Sequence, residues 1–146
     1  MEFINKVLSD FAKVNSDQYV SNDYGLILLS EDIQEDIEKL VKKVICITKN
    51  DTIELIPLKE WRKDFLNCSY PDSERYWFGT IPHEYDLNGL TTKEYIIEQL
   101  LKQFGQEIEE VYLVNLYTEN YYACSDEEYI FKTNKGIYFL SMQVHD

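Results

Sequence analysis

The chain has 146 residues, of which 45% are hydrophobic and 14% aromatic, so it can bury one sizeable core. Its 27 acidic residues against 14 basic ones give a net charge of −13, which argues against direct binding to nucleic acid or to an anionic membrane. The same charge favours a basic partner or simply high solubility. The N-terminus lacks a basic segment followed by an apolar run, and no stretch reaches the length of a membrane span, so a cytoplasmic protein is expected.

The first third of the chain predicts two helices around one strand. Apolar residues at helical spacing predict a first helix near residues 2–14. Residues 24–29 are typical of a buried strand, and Ser30 after them can cap a second helix over residues 31–42. Acids in the first turns of this helix and lysines at its end match the helix dipole, which is a sufficient structural reason for that charge order.

The middle of the chain predicts shorter elements. Two strands at residues 44–48 and 52–57 are expected to form a hairpin, because the residues between them have turn chemistry. A short helix is predicted over residues 58–66, and the aromatic residues 76–78 indicate another strand.

The best-marked element is a helix predicted at residues 92–104. Thr91 and Glu94 fit a capping box, in which each residue satisfies a backbone N–H at the helix start. Gly105 is the residue expected just after a helix end. The predicted core-facing residues of this helix are Ile96, Ile97, Leu100, Leu101 and Phe104.

The last third of the chain predicts strands. Residues 110–117 are apolar on both faces, which is typical of a strand at the centre of a sheet. Residues 129–133 and 137–144 are predicted to form a hairpin across a turn that contains Gly136. The expected fold is therefore α+β: a single domain over residues 1–146, with a mostly antiparallel β-sheet packed by about three α-helices.

No motif names a reaction. Cys46, Cys68 and Cys124 are odd in number and widely spaced, and the chain has neither a CxxC nor an HEXXH spacing around His83 and His145. Glycine-rich phosphate loops and a GxSxG nucleophile motif are also missing from the sequence. The sequence therefore predicts no catalytic residue, no metal site and no cofactor.

The strongest functional signal is the interval between Lys102 and Lys132, which contains no Lys or Arg but many acids and tyrosines. Tyrosine supplies contact area at low entropic cost, and carboxylates supply steering and selectivity towards a basic protein. The residues predicted to bind the partner are Tyr117, Glu119, Tyr121, Tyr122, Asp126, Glu127 and Glu128. The acidic face predicted as a second candidate consists of Glu31, Asp32, Glu35 and Asp36.

In size, charge and lack of a catalytic motif, and in its tyrosine-rich acidic stretch, the chain resembles the bacterial immunity proteins. These are small inhibitors that neutralise a toxin domain, in many cases a basic nuclease. The resemblance implies a non-enzymatic inhibitor with a basic protein as partner, and it carries no residue assignment because no family motif is matched. Two alternatives stay open: a phage-encoded inhibitor that mimics nucleic acid, and a ligand-binding or enzymatic domain with Tyr76, Trp77 and Tyr85 around a pocket.

Overall fold

A computed structural model describes residues 1–45, 50–67, 72–105 and 107–146. In this part of the chain, one five-stranded sheet is accompanied by three longer helices and two helices of six residues. The helices are α1 (Glu2–Val14), α2 (Ile37–Ile45), α3 (Trp61–Leu66), α4 (Ser73–Phe78) and α5 (Thr92–Phe104). The strands are β1 (Ser21–Ser30), β2 (Thr52–Pro57), β3 (Ile108–Tyr117), β4 (Ser125–Thr133) and β5 (Ile137–His145).

The sheet is antiparallel throughout, with the strand order β1-β5-β4-β3-β2. Side chains alternate between its two faces, and each face has its own apolar cluster. The larger cluster joins the sheet to α1, α3, α4 and α5, while the smaller one joins it to Val41 of α2. This arrangement confirms the predicted α+β class. Within the described residues, no helix has the length and apolar character needed to cross a membrane.

Helix α5 begins and ends where the sequence predicts. The Thr91 hydroxyl accepts a hydrogen bond from the Glu94 backbone N–H, and the Glu94 carboxylate accepts one from the Thr91 N–H. Gly105 closes the helix with a φ of 67°, a left-handed conformation that glycine adopts at little cost. The predicted core residues of α5 are buried, except that Leu101 is only partly so.

The acidic segment before α2 is not helical, so the predicted helix start at residue 31 is wrong. The Ser30 hydroxyl accepts a hydrogen bond from the Asp32 N–H, and the carboxylates of Asp32 and Asp36 accept bonds from N–H groups two residues further on. The bonds at Ser30 and Asp32 compete with helix formation, whereas the Asp36 bond caps the start of α2. The helix therefore begins after Asp36, at Ile37.

Two further expectations about strands are wrong. Val44 and Ile45, at the start of the predicted strand 44–48, form the end of α2, and residues 46–49 lie outside the described residues. The partner of β2 is β3, which runs beside it. Residues 76–78 belong to α4 instead of a strand, since three aromatic residues are too few to show either period.

The position of β1 in the sheet differs from expectation, whereas β3 is an inner strand as expected. β3 lies between β4 and β2 and pairs with both. β1 is an edge strand instead of a fully buried one, with Ile27 and Leu28 exposed. The Asn5 side-chain amide donates to the Leu26 carbonyl and accepts from the Leu26 N–H, both at 2.8 Å. A side chain of α1 thus satisfies part of the outer edge of β1, which protects that edge from pairing with another chain.

Candidate functional site

One end of the sheet collects residues that are far apart in the sequence. In the antiparallel register, β1, β2 and β4 begin at this end, while β3 and β5 finish there. Ser21 lies opposite His145, Thr52 lies opposite Tyr117, and Ser125 lies opposite Val144. Chain reversals before β1 and between β3 and β4 therefore lie at the same end.

This end carries every described tyrosine that is strongly exposed. Tyr19, 76% exposed, precedes β1, and Tyr117, 56% exposed, is the last residue of β3. Tyr121, 66% exposed, lies in the connection between β3 and β4. Tyr76, 44% exposed, reaches the same end from α4, because its hydroxyl donates to the Ser125 hydroxyl at 2.6 Å. We call the surface formed by Tyr19, Tyr76, Tyr117 and Tyr121 the tyrosine end.

The charge around the tyrosine end is mostly negative. Lys132 is the sole Lys or Arg in the five described strands, and it lies near the opposite end of β4, while His145 ends β5 at the tyrosine end. Arg75 is the exposed basic residue next to Tyr76 in α4. The exposed acids in the segments that form this end are Asp17, Asp23, Glu119 and Asp146. A basic surface would therefore be attracted to this end of the molecule.

The structure separates the seven residues predicted to bind the partner. Tyr117, Glu119 and Tyr121 are exposed, as a binding surface requires. Tyr122 and Asp126 are partly buried, and Glu127 and Glu128 are buried. The reason is that β4 begins at Ser125, four residues before the predicted start, so the acids that follow it become sheet residues.

Glu127 and Glu128 therefore have roles different from the charge partners that the sequence predicted. Their side chains point to opposite faces of the sheet, because they are neighbours in a strand. Glu127 points into the larger apolar cluster, where its carboxylate pairs with the ammonium group of Lys93 at 2.6 Å. Its charge is thus matched inside the protein and is not presented to a partner.

Glu128 lies in a polar network on the other face of the sheet. Its carboxylate accepts hydrogen bonds from the hydroxyls of Tyr122 and Ser141 and from the amide of Gln143. Burial raises the pKa of Glu128 and also that of Asp126 two residues earlier. Because the pKa of each carboxyl is higher in the folded protein than in the unfolded chain, each favours folding when the pH is below its unfolded pKa. This contribution to stability is lost as the pH rises through the folded pKa. Tyr122 is partly buried in this network, so it offers a partner less contact area than Tyr121.

The cysteines and histidines that could form a nucleophile and base pair have different surroundings in the structure. Cys124 Sγ and His145 Nδ1 both lie near the Tyr121 hydroxyl oxygen, at 3.8 Å and 3.4 Å, so these two are closer together than the sequence indicated. His83 is fully exposed beside Glu84, and Cys68 lies outside the described residues. No group of His, Cys, Asp or Glu in the described residues has metal-binding geometry. That the chain has no catalytic centre stays a prediction.

The second acidic candidate lies at the other end of the sheet. Glu31, Asp32, Glu35 and Asp36 are exposed in the turn between β1 and α2, and not on the helix face that the sequence predicted. Ser30, just before them, lies opposite Ile137 at the start of β5. The two acidic surfaces are therefore separate, and one can serve as a control for the other.

Of the three residues proposed to surround a pocket, Trp77 is in the core, Tyr85 is partly buried and Tyr76 is exposed. Trp77 is fully buried, with its ring edge-on to both Tyr24 and Tyr76. The Tyr85 ring lies against Phe11. At the tyrosine end, a shallow open groove of about 430 Å³ is lined by Asn50, Thr52, Leu116, Tyr117, Thr118 and Glu119.

Comparison with known protein families, curated proteins and solved structures found no match for this chain, so its site is judged from its own residues.

Proposed function

We propose that this protein is a small acidic inhibitor of the immunity-protein type, which binds a basic, nuclease-like toxin domain through the tyrosine end. The observation that supports this most is the position of the exposed tyrosines. All four lie at one end of the described sheet, whose only Lys or Arg, Lys132, is near the other end. Tyrosine is enriched at the centres of protein interfaces, where it buries a large area with few rotatable bonds.

Two of these tyrosines are already ordered before a partner arrives. The Tyr76 hydroxyl is bonded to Ser125, and the Tyr117 hydroxyl donates to the Glu54 carboxylate at 2.9 Å. An ordered side chain loses less conformational entropy on binding, so a given contact area contributes more to affinity. Tyr121 and Tyr19 are the most exposed of the four, which makes them the ones that a partner can cover most fully.

The acids at this end account for fast and selective capture. In a basic nuclease the cleft that holds substrate phosphates is positively charged, and carboxylates can take the place of those phosphates or block access beside them. Asp23 in β1 and Glu119 in the connection between β3 and β4 are exposed and suited to this role. Steering by such charges raises the association rate more than it lowers the dissociation rate.

The first test concerns the tyrosine anchors. We expect the Tyr19→Ala and Tyr121→Ala variants each to weaken partner binding about 30-fold, which corresponds to about 2 kcal/mol for an interface hot spot. The measurement is capture from the native cells at low salt, followed by binding constants with the purified partner. Phe3→Ala is the matched control. Phe3 is an aromatic residue that is 60% exposed, but it lies in the first turn of α1 and is not part of the tyrosine end.

The proposal requires that the captured protein be basic and that its activity be suppressed at an equimolar ratio. Capture that is equal for the wild type and a Tyr19→Ala/Tyr121→Ala double variant would show that the tyrosine end is not the interface. A captured defence nuclease, in place of a toxin domain, would favour the phage-encoded inhibitor instead.

The second test concerns charge. We expect the double variant Asp23→Lys/Glu119→Lys to associate with the partner at least about tenfold more slowly at low salt, because steering is reversed. Its control is Glu31→Lys/Asp32→Lys, which changes the net charge by the same amount at the second acidic candidate. Association rates of both double variants, measured by stopped flow at several salt concentrations, show which acidic surface steers the partner. A larger effect from the control pair would assign binding to the turn before α2 instead.

A further inference from the structure

A buried ion pair lies between the sheet and the short helices. The side chains of Lys93 in α5 and Glu127 in β4 are each 1% exposed. Besides the 2.6 Å contact with Glu127, the Lys93 ammonium donates to the Phe65 carbonyl at the end of α3, at 2.7 Å. The same ammonium lies 4.6 Å from the centre of the Phe65 ring. One charge thus joins α3 and α5 to the central strand.

The carboxylate of Glu127 extends this network to α4. It accepts a hydrogen bond from the Trp77 indole N–H at 3.0 Å and another from the Tyr129 hydroxyl at 2.8 Å. The Trp77 carbonyl accepts a bond from the Tyr24 hydroxyl at 2.6 Å. At the other end of α4, the Glu74 carboxylate accepts bonds from the Thr92 and Lys93 N–H groups at the start of α5.

Helix α4 depends on such tertiary contacts because its local signals are weak. It has six residues, and an isolated helix of that length is not stable in water. Asp72, the residue before its first turn, makes no capping bond with its side chain and has a φ of 60°. The orientation of α4 must therefore be set by the groups that hold it from outside.

An apolar pair of the same volume would fill the core as well as Lys93 and Glu127 do, and it would avoid the cost of burying two charges. The charged pair also fixes how α3 and α4 are oriented on the sheet, since its hydrogen bonds are satisfied in one arrangement of these elements. We propose that the Lys93–Glu127 pair is a positioning device that fixes α4 on the sheet and thereby places Tyr76 at the tyrosine end. The inference rests on the proposed function only in assigning Tyr76 to a binding surface.

The test replaces the pair by apolar residues in Lys93→Met/Glu127→Leu. We expect this variant to fold with a lower thermal midpoint than the wild type, because Trp77, Tyr129 and the Phe65 carbonyl lose the hydrogen bonds that the pair provides. Amide hydrogen exchange over residues 73–78 should accelerate at least about tenfold more than exchange in α1 and β5. Unchanged exchange over residues 73–78 in the folded double variant would overturn the proposal.

A second variant keeps the test decisive if the double variant does not fold. Trp77→Phe leaves the ion pair in place and removes the indole donor that links it to α4, together with part of a buried ring. Trp61→Phe is its control, because Trp61 packs edge-on against Phe131, outside this network. Faster exchange over residues 73–78 in Trp77→Phe alone supports the proposal, and equal exchange in the two variants contradicts it. Since exchange needs no partner, the result is independent of whether the tyrosine end binds a toxin.

Discussion

The Lys93→Met variant should lose about 3–5 kcal/mol of unfolding free energy, because it leaves the Glu127 carboxylate buried without a cation. The hydrogen bonds from Trp77 and Tyr129 remain, but they do not replace the lost charge. Urea unfolding at neutral pH, followed by circular dichroism, measures this loss. The total stability of a chain of this size is of the order of 5–15 kcal/mol, so the change is a large part of it.

The exposed pair between Glu38 and Lys42 in α2 provides the control. The two residues are four apart in one helix, and the Lys42 Nζ lies 3.1 Å from the Glu38 Oε1. Both side chains are about half exposed. Solvent screens such a pair, so Lys42→Met should cost no more than about 0.5 kcal/mol. If Lys93→Met cost as little as Lys42→Met, the buried pair would have no role in stability.

The Leu100→Ala variant should cost about 2–5 kcal/mol, which is the range for truncating a fully buried leucine. Leu100 is on the buried face of α5 within the larger apolar cluster, so its removal leaves a cavity as well as losing transfer free energy. Leu101→Ala is the matched control, because it makes the same substitution in the same helix at a partly buried position. Thermal unfolding of both variants tests the order, and an equal loss in both would contradict the assignment of the core face.

Several elements follow from local sequence alone. The capping box at Thr91 and Glu94 and the glycine at 105 define α5, because caps satisfy backbone groups within one turn of the helix end. The apolar spacing over residues 2–14 and the turn before Ile137 likewise predict α1 and the hairpin of β4 and β5 correctly. These signals require no knowledge of distant residues, which is why the α+β class could be predicted.

Prediction from the sequence failed where local side-chain bonds compete with helix formation, or where too few residues show a helical or strand period. Acidic residues at 31–36 match a helix start in charge, but the Asp32 side chain satisfies a backbone N–H group in a turn, and Asp36 caps the helix that begins at Ile37. The aromatic residues of α4 fit a strand equally well by composition. In both places the outcome depends on which hydrogen bonds the surrounding structure leaves available.

The candidate site also combines residues that the sequence identified with residues that only the tertiary structure brings together. From the sequence, the base-free interval after Lys102 identified Tyr117, Glu119 and Tyr121, which the structure leaves exposed. The burial of Glu127 could not be predicted, because its partner Lys93 is 34 residues away and meets it only once α5 packs on β4. Tyr19 and Tyr76 join the surface for a similar reason. Antiparallel pairing brings the start of β1 beside the end of β5, and α4 packs against the start of β4, so only the tertiary structure decided which tyrosines share one end.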